Sequence, residues 1–101
     1  MAKTSSVEKN NYRRRLVAQK AGKRKRLKDI IMDRAKPREE RFAAQMKLAE
    51  MPRNSSKVRI RNRCELTGRA RGFHRKLRLS RNQLRELASQ GLIPGMTKAS
   101  W

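Results

Sequence analysis

The chain is poor in the residues from which a large core is built. Its 101 residues include one cysteine, four aromatics (one Trp, one Tyr, two Phe), three prolines and five glycines. Leu, Ile, Val and Phe together number only eighteen, below the roughly 20% at which highly charged chains tend to stay disordered. Two domains with separate cores are therefore not expected, and even one substantial core is in doubt. One cysteine cannot close an internal disulfide, which fits a reducing compartment such as the cytoplasm. No apolar run approaches the roughly 20 residues that span a bilayer. The start, Met1 to Glu8, has no apolar segment and no small-residue cleavage pattern, so no secretory leader is expected. Glu8 and the unbroken basic pattern speak against an Arg-rich transit peptide. Acidic residues are also scarce: eight, against 29 Lys and Arg, for a formal net charge of +21.

Such a chain repels itself in water, and the partner it expects is a dense polyanion. An anionic membrane would call for a helix with one rich apolar face. Here the cations are spread over nearly the whole length, which points to nucleic acid. Arg outnumbers Lys, 18 to 11. That balance suits forked contacts to phosphate and stacking of guanidinium planes on bases.

Three zones can be read, giving a mostly α chain with little core. Residues 1–35 form a basic helical arm. From Ser5 to Asp33 there is no Pro and one Gly, and Leu27, Ile30 and Ile31 fall at helical spacing. The pattern predicts one long helix, or two that meet near Gly22. Its cationic clusters are Arg13-Arg14-Arg15 and Lys23-Arg24-Lys25-Arg26. Residues 36–52 hold a short helix that starts at Pro37, carries Glu39 and Glu40 where acids favour the helix N-terminus, and ends at Met51-Pro52. Its stripe of Phe42, Met46 and Ala49 is expected to pack on another helix or on a neighbouring protein.

Residues 53–101 carry most of the information. Between Arg53 and Arg85 twelve cations stand against one acid, Glu65. Lys57, Arg59, Arg61 and Arg63 alternate with Val58, Ile60 and Asn62. In an extended strand that spacing would line four cations along one edge, roughly 6.6 Å apart, with Val58 and Ile60 behind them. Farther on, Cys64, Thr67, Ser80 and Gln83 occupy positions spaced x2, x12, x2. With four cysteines this would be a structural zinc knuckle. With one thiol, two hydroxyls and an amide, zinc is not expected.

Ser80-x-x-Gln83 also reads as a capping box, opening a helix from Arg81 to about Gln90 with Gly91 as its stop. Leu77 and Leu79 suggest a short strand or hairpin arm before it. The expected module is a metal-free knuckle at 64–68, an arm at 72–79, a helix at 80–90 and an extended tail. Cys64, Leu66, Phe73, Leu77, Leu79, Leu84 and Leu87 would form its core, with Cys64 a buried small side chain rather than a nucleophile. The free chain is expected to be disordered outside about 60–90, since its helices have too little apolar surface to bury.

The candidate contacts to nucleic acid are therefore Arg13, Arg14, Arg15, Lys23, Arg24, Lys25 and Arg26 in the arm. In the module they are Arg53, Lys57, Arg59, Arg61, Arg63, Arg69, Arg71, Arg75, Lys76, Arg78, Arg81 and Arg85, with Lys98 and Trp101 in the tail. Trp101 is either a packing anchor or a stacking surface for a base or ribose. If about ten phosphates are neutralised, affinity should fall with a log–log salt slope of roughly −7 to −9. With one His and one Cys in the chain, an acid–base pair or metal centre is hard to assemble. No catalytic residue, cofactor, metal or small-molecule substrate is expected. A nucleoid-type DNA-packaging protein shares the charge and remains the alternative.

Several segments together resemble the family of bacterial small-subunit ribosomal protein fourteen. They are Pro52-Arg53-Asn54-Ser55-Ser56, Arg61-Asn62-Arg63-Cys64, Thr67-Gly68-Arg69-Ala70-Arg71, Leu79-Ser80-Arg81, Arg85-Glu86-Leu87-Ala88, Pro94-Gly95 and Lys98-Ala99-Ser100-Trp101. The resemblance covers the C-terminal half; the N-terminal half agrees in length and basic helical character. Many members carry the four-cysteine zinc knuckle in a shorter chain, and this sequence resembles the longer, zinc-independent class. The resemblance implies binding to 16S rRNA in the 3′ major domain, in the head of the small subunit. It also implies head-protein neighbours, among them small-subunit proteins three, ten and nineteen, and a role in 30S assembly and RNA conformation near the decoding A site.

Overall fold

The computed structural model describes residues 1–101. Helix α1 (Thr4–Met32) is followed by α2 (Arg38–Ala49), two single-turn 3₁₀ segments (Arg53–Ser55 and Lys57–Arg59), strands β1 (Phe73–His74) and β2 (Leu79–Ser80), and α3 (Arg81–Ser89). The fold is mostly helical, as expected, with one two-residue hairpin.

The chain divides into two compact units, residues 9–60 and residues 1–8 with 61–101. The first centres on Leu27, Ala44 and Met51, with Ile30, Ile31 and Leu48 packed around them. The second is built mostly on hydrogen bonds around Cys64.

α1 runs for 29 residues without a break at Gly22, about 43 Å at the usual rise. Gly22 has nothing within 4 Å of where a Cβ would lie. One exposed glycine weakens a helix by only roughly 0.5–1 kcal/mol. The strong helix formers around it, Arg, Lys, Ala, Gln and Leu, outweigh that.

α2 begins after Pro37, whose extended backbone (φ −62°, ψ 151°) caps the helix, with Glu39 and Glu40 in the first turn. Its packing differs from the expected stripe. Ala44 and Leu48, followed by Met51, face α1, whereas Phe42, Met46 and Ala49 are exposed. Arg41 fastens the pair by donating from Nε to the carbonyl of Ile31 at 2.9 Å.

In the second unit the hairpin pairs Phe73 with Ser80 and His74 with Leu79. Its connection turns through Arg78 in the left-handed region (φ 54°). Leu77 therefore lies in the turn, 38% exposed, and Leu66 is 60% exposed. Neither belongs to the core expected of them. Phe73, Leu79, Leu84 and Leu87 are half-buried and Cys64 is buried.

α3 starts at Ser80, whose hydroxyl accepts from the Gln83 backbone N–H at 3.5 Å. The reciprocal half of the capping box is absent. The Gln83 amide donates instead to Glu86 at 3.1 Å, while the fully buried Ser80 is enclosed by the knuckle. At the far end Gly91 (φ 71°) closes the helix. Gly91 N–H donates to Ala88 and Leu92 N–H to Leu87, the paired bonds of a Schellman stop.

Candidate nucleic-acid interface

The knuckle gathers three of the four zinc-spaced positions around one sulfur. Cys64 N–H donates to the Arg69 carbonyl at 2.9 Å, Gly68 N–H returns to the Cys64 carbonyl at 2.9 Å, and Glu65 N–H reaches Arg78 at 3.1 Å. Burial of Cys64 would raise its pKa. The Thr67 hydroxyl and the backbone N–H groups of Thr67, Ser80 and Leu66 outweigh it and lower the thiol from an ordinary value of 9.0 to about 6. These neighbours favour the ionised form of the thiol. Thr67 Oγ1 is itself buried with no hydrogen-bond partner. One thiol, two hydroxyls and an amide do not suit zinc, which prefers thiolate, imidazole or carboxylate donors.

Gly68 lets the N-terminus join this unit. Its φ is +73°, and a Cβ there would lie 2.7 Å from Val7 Cγ2 and 3.2 Å from Ala2 Cβ. Ala2 N–H donates to the Thr67 carbonyl at 3.2 Å. This pairing of the chain's first residues with its knuckle has no signal in the sequence beyond the glycine itself.

The cations predicted to meet nucleic acid divide into two sets. Arg14, Arg15, Lys23, Lys25, Arg26, Arg53, Lys57, Arg61, Arg71, Arg75, Lys76, Arg78, Arg81, Arg85 and Lys98 are exposed. Arg13, Arg24, Arg59, Arg63 and Arg69 are half-buried, and the fold uses part of four of them. Arg13 Nε and Arg59 Nη1 both donate to Asn54 Oδ1, at 3.3 and 2.8 Å. Arg24 Nη1 donates to Ser55 Oγ at 3.1 Å, and that hydroxyl donates to the Pro52 carbonyl. Arg63 Nη1 donates to the Gly68 carbonyl at 3.0 Å. The Nε atoms of Arg63 and Arg69 are buried without hydrogen-bond partners. These side chains brace the turns that present the exposed cations, a role that charge counting did not distinguish from phosphate contact. Asn10 is 3% exposed within α1; a polar residue in a charged helix carries no distinguishing pattern in the sequence.

The expected cationic edge at 57–63 does not form. Residues 57–59 make a 3₁₀ turn, with Arg59 N–H donating to Ser56 and Ile60 N–H to Lys57. No neighbouring strand is there to pair with, so the backbone satisfies itself locally. Val58 is 89% exposed and anchors nothing. The cations are displayed on turns rather than along a line. In the hairpin turn, Arg78 meets Glu65 at 3.3 Å with both side chains open to solvent. Such a pair adds little stability. Trp101 is fully exposed, so it does not serve as a packing anchor within the chain. No helix is long and apolar enough to cross a membrane.

Comparison with known proteins places the chain in a family. Residues 47–100 match the family described as Ribosomal protein S14p/S29e. Over its full 101 residues the chain is 70% identical to the small ribosomal subunit protein uS14 of Rhodospirillum centenum, again over the whole of that protein. It is 67% identical to uS14 of a Bradyrhizobium species and 66% to that of a Chelativorans species, with both chains fully covered in each case. These proteins are structural parts of the ribosome, not enzymes. The chain belongs to the S14 family of small-subunit ribosomal proteins.

Proposed function

We propose that the chain is a structural constituent of the small ribosomal subunit that binds 16S rRNA in the 3′ major domain, in the head. There it supports 30S assembly and holds RNA conformation near the decoding A site. Its place is the cytoplasm, as part of the ribosome, with head proteins three, ten and nineteen as neighbours. The observation that carries the reading is the density of exposed cations on the second unit and the segment before it: nine of the twelve between Arg53 and Arg85 are exposed, against a single acid. Most of them stand on turns braced from behind.

Neutralisation of phosphates by these side chains, with release of counterions, supplies the affinity. The bent display on turns suits folded RNA, whose phosphates do not lie along a straight duplex edge. The DNA-packaging alternative draws no support from the relatives.

The test is incorporation. Full-length protein in which Arg71, Arg75, Arg81 and Arg85 are all changed to Glu is expected to be lost from small subunits on a high-salt gradient. The unaltered chain should co-sediment with them until ribonuclease is added. Normal incorporation of the reversed chain would overturn the reading. Recovery of the unaltered chain with DNA rather than with subunits would favour the alternative.

A further inference from the structure

We propose that the cleft between α3 and the C-terminal tail is a site for one unpaired nucleotide of 16S rRNA. Its base enters between Ala88 and Met96, and its phosphate is held by Arg85 and Lys98. The proposal rests on the ribosomal reading and goes past phosphate neutralisation, because it assigns the second unit a contact with a base.

Local sequence makes the cleft. Gly91 ends α3 in the left-handed region, and Pro94-Gly95 forms a second turn, with Gly95 at φ 76°. Nothing lies within 4 Å of where a Cβ would be at either glycine. Backbone conformation, not space, therefore calls for glycine at both turns. Together they bring residues 96–99 back to α3, where they form one wall of the cleft. The opposite wall is a single face of α3, with Arg85, Ala88 and Ser89 at i, i+3 and i+4. The half-buried Leu84 and Leu87 lie roughly 120° around the helix from that face. The wall of the cleft is thus a different face from the one α3 buries.

The lining indicates the ligand. The cleft holds about 330 Å³, the low end of the range for small-ligand sites, and room for a single nucleoside. Its apolar surface comes from Ala88, Met96 and Ala99. Two alanines leave flat ground for a ring, and a methionine sulfur makes favourable contacts with aromatic rings. Both charged residues of the lining are cations. Arg85 and Lys98 are exposed, and their charged ends make no hydrogen bond or ion pair within the chain.

The neighbouring acid on α3, Glu86, accepts from the Gln83 amide at 3.1 Å and does not line the cleft. Ser89 Oγ donates to the Arg85 carbonyl at 2.8 Å. That leaves its lone pairs, with the Thr97 hydroxyl, for the polar edge of a base. An apolar slot with a cationic rim matches a nucleotide, which joins a flat ring to an anionic backbone.

The experiment uses growing bacteria whose only copy of the full chain carries Ala88→Phe or Met96→Trp. Each fills the cleft with an aromatic ring, one from the helix and one from the tail, without changing charge. Met96 lies outside α3 and the hairpin, so its substitution leaves the packing of the unit intact. Small subunits are isolated by sedimentation, and their 16S rRNA is probed with base-modifying reagents. One nucleotide is expected to be protected by the unaltered chain and to gain reactivity at least about fivefold with both variants, the low end of what stacking one base on a protein surface contributes. A photo-reactive phenylalanine analogue replacing Ser100 in the otherwise unaltered chain should cross-link to that nucleotide or to one beside it. The absence of any nucleotide that responds to both variants, or a rise spread over many nucleotides, would overturn the proposal. So would capture of a protein segment or of mRNA at position 100. Absence of the unaltered chain from small subunits defeats the ribosomal reading itself. A chain present in the subunits with no responding nucleotide defeats this site alone.

Discussion

The two units of this molecule solve the same problem with different means. Residues 9–60 rely on helix-on-helix contact, in which Leu27, Ala44 and Met51 are sealed between α1 and α2. In residues 1–8 and 61–101 the one buried apolar side chain is Cys64. That unit is held by turns, a two-residue hairpin, a capped helix and donors aimed at one sulfur. The first arrangement is non-directional and depends on contact area. The second is directional and depends on backbone conformation. A chain with so little apolar material can close two units only because the second scarcely draws on it.

The largest expected difference comes from removing apolar volume. Leu27→Ala should cost about 2–5 kcal/mol, the range for a truncated buried leucine. With so small a core this is enough to release α2. Hydrogen exchange of the full chain in stabilising osmolyte should show amide protection lost in residues 38–51 and retained in 64–90. Equal loss in both regions would mean that the two are not held by different forces.

Backbone conformation should matter in the opposite place. Gly68→Ala places a Cβ 2.7 Å from Val7 at φ +73°. Left-handed strain and the clash together should cost about 1–3 kcal/mol. The same exchange measurement should show protection lost around Cys64 and Thr67, with α2 unaffected. Protection at Thr67 that survives would show that the N-terminal residues are not seated against the knuckle.

A pH response should be confined to the second unit. The Cys64 pKa is depressed in the folded state, to about 6 from an ordinary 9.0. Its contribution is therefore fully present above the unfolded value and is lost as pH falls toward about 6. Stability of residues 64–90 should decline over that window and become flat in Cys64→Ser, while the α1–α2 pair shows no matching change. Thiolate absorbance gives the midpoint directly.

How much of this was legible beforehand depended on whether the signal was local. The Ser80 cap, the Gly91 stop, the start of α2 after Pro37 and the absence of strong helix breakers from α1 are properties of a few adjacent residues, and they were read correctly. Leu77 and Leu79 alternate as strand residues would, yet only Leu79 pairs in the hairpin and Leu77 lies in its turn. The failure at 57–63 has the same root. Alternating Lys57, Arg59, Arg61 and Arg63 imitate a strand, but a strand exists only if another pairs with it. Phe42 and Met46 look like a core stripe, but the tertiary packing turns Ala44 and Leu48 toward α1 instead. Among the arginines, nothing in the one-letter code separates Arg24, turned inward to Ser55, from Arg26, which stays in solvent.

The sequence by itself determined the balance of forces: a net charge that demands a polyanion, an apolar content too small for a large core, and local caps and stops that place the helices. It also determined the knuckle's donor set, one thiol, two hydroxyls and an amide, which are poor ligands for zinc. Only the tertiary structure decided which cations are spent on bracing turns, which face of α2 is left uncovered, and that Ala2 and Val7 close over Gly68. Those outcomes depend on residues far apart in the chain meeting in space. A short-range pattern does not encode such meetings, and a chain this charged has little apolar periodicity from which they could be inferred.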